Sequence, residues 1–155
     1  MTEDEKKEWQ SKWDAHACGI KCLQEIQRRN NQTVWDDLKI YETFLPKYDD
    51  WKQMPGVTGR ERLREIADAM GISAKSGYTG DPSVLRTILK NSKSGGIVGM
   101  AFKFERGPDD LIGHAFLIDG TDPKGEFHTW GAGRNEPTSW ETMEGWETSA
   151  LVLHD

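Results

Sequence analysis

The sequence predicts an α+β domain, with N-terminal helices packed on a C-terminal antiparallel β-sheet. Three observations carry that expectation. Before Gly95-Gly96, apolar residues recur every three or four positions, the period of half-buried helices. After it, short runs of β-branched and aromatic residues alternate with Gly, Pro and Asp, the texture of strands and turns. The 155 residues also hold no internal repeat, low-complexity tract or linker, so one domain over residues 1–155 is expected.

The elements follow in order. Residues 1–12, beginning "MTEDEKKEWQ", are charged and expected to be a solvated, mobile segment. "CGIKCLQEIQRRN" places Ile20, Leu23 and Ile26 on one helical face. "TVWDDLKIYETFL" does the same with Val34, Leu38, Tyr41 and Leu45. Thr58 and Glu61 have the spacing of a capping box ahead of "RERLREIADAM", and Gly71 is placed to close that helix. Asp81-Pro82 reads as a cap and first-turn pair for "DPSVLRTILKN". The expected strands are "IVGMAFKF", "GHAFLIDG", "GEFHTWG" and "SALVLHD". "ERGPDDLIG" reads as a hairpin loop, and "RNEPTSWETMEGWE" as a loop with one helical turn.

Composition narrows the function. Hydrophobic residues make up 35% and charged residues 30%, so the core is thin, and seven tryptophans offset this by burying large areas. A net charge of −6 argues against general nucleic-acid binding, which needs a basic face for phosphates. No apolar run reaches the ~20 residues that span a bilayer, and no membrane partner is expected. The charged N-terminus lacks the apolar stretch of a secretory signal. A cytoplasmic protein is expected, or an effector exported by a route that reads no such signal.

Two cysteines, Cys18 and Cys22, and four histidines hold the chemistry. Zinc sites use close ligand pairs, and His114 and His128 are too far apart in sequence to form the second one; no metal or other cofactor is expected. Redox C-x-x-C motifs have two intervening residues, whereas Cys18 and Cys22 have three. A disulfide between them within one helix has awkward geometry. A nucleophile suits Cys18 better. It stands at the start of a helix, where unpaired amides and the dipole favour a thiolate, and Gly19 after it would let a substrate approach the backbone. Cys22, one turn further in, reads as core. "IGHAFLIDG" supplies a base, because His114 opens a strand directly after a glycine.

These residues resemble the papain-like cysteine peptidases. "CGIKCL" looks like their active-site helix, especially in the branch that trims leader peptides at bacterial exporters. "GHAFLIDGTD" is similar to that branch's base strand, and the order of elements matches from about Ala15 to the end of the chain. The resemblance implies Cys18 as nucleophile and His114 as base. "EFHTWG" resembles the next strand of papain, N-S-W-G, with His128 at the place of the orienting Asn. Cell-wall amidases of the same superfamily commonly use Cys-His-His, which supports His128 as the orienting group. Asp119 and Asp122 are the fallbacks, since a one-residue slip would change which side chain faces the ring.

The family places its oxyanion Gln about six residues before the cysteine. Lys12 stands there, so Gln10 and the backbone amides at Cys18 are the candidates. Trp130 is placed either to wall the site or to fill the core. His16 reads as a solvated loop residue and His154 as surface; Trp140 and Trp146 are expected to cover the sheet.

The expected activity is amide hydrolysis through an acyl-enzyme, by a cysteine peptidase or amidase. The substrate would be a protein, a peptide or a peptidoglycan peptide. By resemblance, small proteins of this kind are often bacterial toxins or injected effectors, with a cognate immunity or inhibitor protein as partner. Two alternatives stand beside it: a glutamine deamidase, and a papain-like binding module that has lost activity. The departures at Lys12 and His128 favour the last.

Overall fold

The computed structural model describes residues 1–72 and the strand segments 74–79, 99–103, 114–121, 127–130, 137–138 and 149–153; within the strands, side chains are described for Phe116, Leu117 and Trp130. The first element is a helix that the sequence reading did not anticipate, α1 (Glu3–His16). Thr2 caps it by accepting from the Glu5 backbone N–H at 3.1 Å, and three acids in the first turn suit the positive dipole end. Residues 1–8 are exposed as expected, but the segment is helical because Trp9 and Trp13, one turn apart, bury against the body of the molecule.

The chain breaks at Ala17 (φ −93°, ψ 26°) and at once begins α2 (Cys18–Arg29). Its buried face is Gly19, Ile20, Cys22, Leu23, Ile26 and Gln27, as the spacing predicts. Asn31 ends it in the left-handed region (φ 57°). There the Gln32 N–H donates to the Gln27 carbonyl and the Asn31 N–H to the Arg28 carbonyl, a Schellman motif.

The next helix, α3 (Asp37–Phe44), is capped by Asp36, which accepts from the Lys39 N–H at 2.8 Å. Its buried residues are Ile40 and Phe44, flanked by half-buried Leu38, Tyr41 and Leu45. The expected stripe was therefore one residue off centre, and Val34 at its start is 37% exposed. A 3₁₀ turn (Asp49–Lys52) then buries Trp51.

Helix α4 (Arg60–Ala69) corrects the expected capping box. Its N-cap is Gly59 in an extended conformation, with no side-chain cap bond, so Thr58 lies outside the helix and Glu61 is exposed. The C-terminal expectation holds. Gly71 (φ 78°) closes a second Schellman motif, with the Ile72 N–H bonded to the Ala67 carbonyl and the Gly71 N–H to the Asp68 carbonyl.

The two Schellman ends are bolted together. Gln27 Nε2 donates to the Met70 carbonyl (2.9 Å) while Gln27 Oε1 accepts from the Trp35 N–H (2.8 Å). Gln32 Nε2 donates to the Gly71 carbonyl (3.0 Å). Amide donors thus satisfy carbonyls that a helix C-terminus leaves without partners.

The core between these helices is aromatic. Trp13 stacks on Trp9 (5.2 Å) and meets Trp51 edge-on (5.5 Å), while Tyr41 lies parallel to Trp51 (6.2 Å). Rings of this size let few apolar residues close a core.

The strands are β1 (Ala74–Thr79), β2 (Gly99–Lys103), β3 (His114–Thr121), β4 (Phe127–Trp130), β5 (Pro137–Thr138) and β6 (Ser149–Leu153). They form one sheet in the order β1-β6-β2-β3-β4-β5, with antiparallel neighbours throughout. β1 was not anticipated, and β5 falls where a loop was expected. The helix expected at Asp81-Pro82 and the hairpin loop "ERGPDDLIG" lie outside the described residues. Helix α2 packs on β3, and α4 on β1 and β6. Among the described residues, no helix is long and apolar enough to cross a membrane.

Candidate active site at the start of the second helix

Cys18 is the first residue of α2. The residue before it, Ala17, has no side-chain oxygen, so the helix begins without a side-chain cap. Its first-turn amides and the positive dipole end are what a helix offers to an anion or a developing oxyanion. Cys18 is half-buried at the rim of the core, while Cys22, one turn on, is 1% exposed. Burial holds the Cys22 thiol well above its ordinary range, with the nearby Cys18 and Glu25 side chains adding to it. That thiol is a core group, as expected.

Both neighbours of Cys18 are clamped. Ala17 is fully buried, and Gly56 (φ 89°) lies against it so closely that a β-carbon on Gly56 would stand 2.9 Å from Ala17 Cβ. Gly19 faces Leu63 of α4, where an added β-carbon would stand 2.7 Å from Leu63 Cδ1. This corrects the reading of Gly19 as an opening for substrate: its missing side chain is filled by Leu63, and the glycine serves helix packing.

His114 is the first residue of β3 and pairs with Lys103. Its side chain lies outside the described residues. Three positions on, Leu117 is fully buried in the same cluster as Ile20, Leu23 and Ile26 of α2. Cys18 and His114 each open one of two elements that pack on each other; Leu117, which makes that packing, is an odd number of residues from position 114 and so belongs to the other face of the strand.

The β3–β4 register decides the position of the other candidates. His128 pairs with Gly120, six residues along β3 from His114, which is about 20 Å at strand rise. Asp119 is the extra residue of a bulge, since Ile118 pairs with Thr129 and Gly120 with His128. It belongs to the same far end of β3 as His128. Asp122, His154, Trp140 and Trp146 lie outside the described residues. Trp130, opposite Leu117, packs at the edge of the core with the Arg29 guanidinium 5.9 Å from its ring centroid.

Gln10 is engaged elsewhere. Its Nε2 donates to Asp14 Oδ1 (2.9 Å) and Asp37 Oδ2 (3.2 Å), so acting on an oxyanion would require it to leave both carboxylates. Gln24 Nε2 reaches Asp37 Oδ1 (2.8 Å), and Lys21 pairs with Asp14 (3.1 Å), so this network ties α1, α2 and α3 together. Lys12 pairs with Glu8 on the exposed face of α1. His16 is the last residue of α1 rather than a loop residue, and its Nδ1 bonds to the Lys12 carbonyl (2.8 Å).

The residues that sequence reasoning missed are Ala17, Gly56 and Leu63. They surround the start of α2; Gly56 and Leu63 are distant from it in the chain, and no local pattern announces that they pack on Ala17 and Gly19. Among the described residues, no group of three His, Cys, Asp or Glu side chains could hold a metal ion. No protein-family model matches this chain, and no curated protein sequence does.

Proposed function

We propose that the chain is a papain-like thiol hydrolase of α+β class that cleaves amide bonds. The observation that carries this reading is the pairing of elements: Cys18 begins a helix without a side-chain cap, and that helix packs on the strand that His114 begins. His114 would take the thiol proton, and Cys18 would attack the carbonyl carbon and form the acyl-enzyme as the amine leaves. The first-turn amides of α2 would receive the oxyanion, a role that Gln10 is poorly free to fill. Water then attacks the thioester and releases the acid and the thiol. A protein, a peptide or a peptidoglycan peptide is the substrate class, and a toxin or effector with an inhibitor partner is the setting that the resemblance suggests.

Purified protein and Cys18→Ala are to be incubated with peptidoglycan fragments and with cell extract, and the products read by mass spectrometry. A released stem fragment, a new protein N-terminus or a +1 Da shift on glutamine each identifies one reaction. Identical spectra for the two proteins on every substrate would remove the catalytic reading.

A second reading, a papain-like module that binds a peptide or protein without cleaving it, draws on the His128–Gly120 register and the engaged Gln10. Iodoacetamide separates the two. An active Cys18 reacts at pH 6 far faster than free cysteine, whereas equal rates favour the binding module.

A further inference from the structure

We propose that Arg62 is a positioning residue for Cys18, a latch on α4 that holds the start of α2. Its effect on chemistry rests on the thiol-hydrolase reading; the latch itself rests on geometry alone.

Arg62 sits in the first turn of α4. Nη1 donates to Asp50 Oδ2 (2.8 Å) and Nη2 to Asp50 Oδ1 (2.7 Å), a two-pronged pair that joins α4 to the 3₁₀ turn. Nη1 also lies 3.5 Å from the Val57 carbonyl, which takes a shorter bond (2.8 Å) from buried Trp51 Nε1. The guanidinium stands 4.3 Å from the Tyr48 ring centroid. Tyr48 in turn donates from its hydroxyl to Glu65 of α4, and Lys47 pairs with the same carboxylate. The segment from Lys47 to Val57 is thus tied to α4 at its beginning, middle and end.

That segment carries Gly56, which lies on Ala17. The residue after the arginine, Leu63, fills the space over Gly19. The residues immediately before and after Cys18 are each held by a group whose position Arg62 helps to fix. Because the helix lacks a side-chain cap, these two clamps do what a cap would do: they stop the first turn from fraying. The direction of the thiol and of the first-turn amides depends on that turn staying formed.

The test compares the unmodified chain with Arg62→Ala, Arg62→Lys and Asp50→Asn. Iodoacetamide labelling of Cys18 and Cys22 is followed separately by peptide mass spectrometry from pH 5.5 to 8, and amide exchange is read over residues 17–21. Cys22, buried one turn away, reports general loosening. Arg62→Ala is expected to speed exchange over 17–21 about tenfold and to slow Cys18 labelling at pH 6 several-fold, with Cys22 still protected. Arg62→Lys recovers only part, because an ammonium cannot form the fork. Asp50→Asn gives the same sign and serves if Arg62→Ala fails to fold.

Exchange over 17–21 and a Cys18 pH profile that both stay unchanged would overturn the latch. So would labelling of both cysteines rising together, which marks plain destabilisation. If Cys18 of the unmodified chain reacts only as fast as free cysteine, the hydrolase reading falls, and the latch is then decided by the exchange of 17–21 alone.

Discussion

Leu63 occupies the space that a side chain on Gly19 would need: a β-carbon there would meet Leu63 Cδ1 at 2.7 Å and Cδ2 at 2.9 Å. Leu63 is fully buried. Alanine at 19 would gain about 1 kcal/mol in helix propensity and lose about 1–3 kcal/mol to overpacking. Gly19→Ala is therefore expected to lower the thermal midpoint. In the Gly19→Ala/Leu63→Ala pair the two losses should sum to less than the singles, because the second change removes the clash.

Asn31 holds the left-handed position that ends α2 (φ 57°). Asn31→Ala should cost about 1 kcal/mol, since a β-carbon meets the following carbonyl there. Asn31→Gly should be neutral or slightly stabilising. Urea unfolding of both variants checks the sign, and equal losses would mean that the Asn side chain itself supplies the stability.

Gln27 is buried and uses both ends of its amide, one on Met70 and one on Trp35. Gln27→Met keeps the volume but strands a carbonyl and an N–H. The expected cost is about 1–3 kcal/mol for each group left without a partner in the interior. Half-buried Gln24 is a poor control because it is also bonded; Glu42→Gln on the exposed face of α3 serves better.

Stability should fall at both ends of the pH scale. The fork from Arg62 holds Asp50 below the ordinary carboxylate range, and bonds from Lys47 and Tyr48 do so for Glu65. A lowered pKa stabilises the fold above the unfolded value, about 4, and that contribution is lost as pH drops below it. Both side chains are about half exposed, so the loss is modest and shrinks in salt. Burial raises Cys22 and Tyr48 instead, with the Glu65 bond adding to the effect on Tyr48. Their contributions are present below the unfolded values, roughly 8.5 and 10, and fade as pH climbs past them. Thermal midpoints from pH 3 to 10.5 should show a plateau between, with a shallower acid limb in Asp50→Asn and a shallower alkaline limb in Cys22→Ala.

The β3–β4 register makes the two strand histidines unequal. On the hydrolase reading, His114→Ala should cost about 10²–10⁴ in kcat/KM as a lost base. His128→Ala, opposite Gly120, should cost less than about tenfold. Equal losses would require a hairpin that brings residues 114 and 128 face to face.

Two copies of one local signature show how far sequence reading reached. Among the described residues Thr-x-x-Glu occurs complete at Thr2–Glu5 and at Thr58–Glu61. Only the first caps a helix, because α4 starts after an extended Gly59 rather than at it. Helix α2 was legible because its apolar residues keep period along a run of twelve residues. Helix α1 was hidden, since only Trp9 and Trp13 mark its buried side amid charge. The β3–β4 pair holding His128 was legible as two strands but not in register: the bulge at Asp119 shifts the pairing, and a short strand carries no signal for that shift.

By itself, the sequence determined the cysteine at a helix start, the glycine that closes α4, the apolar face of α2 and the strand that His114 opens. Each depends on neighbours within one or two turns, where backbone geometry and spacing suffice. Only the tertiary structure decided that Gly19 serves Leu63, that Ala17 lies under Gly56, that Gln10 is held by Asp14 and Asp37, and that His128 falls opposite Gly120. Those relations join residues far apart in the chain, and close packing between elements, not local preference, selects them.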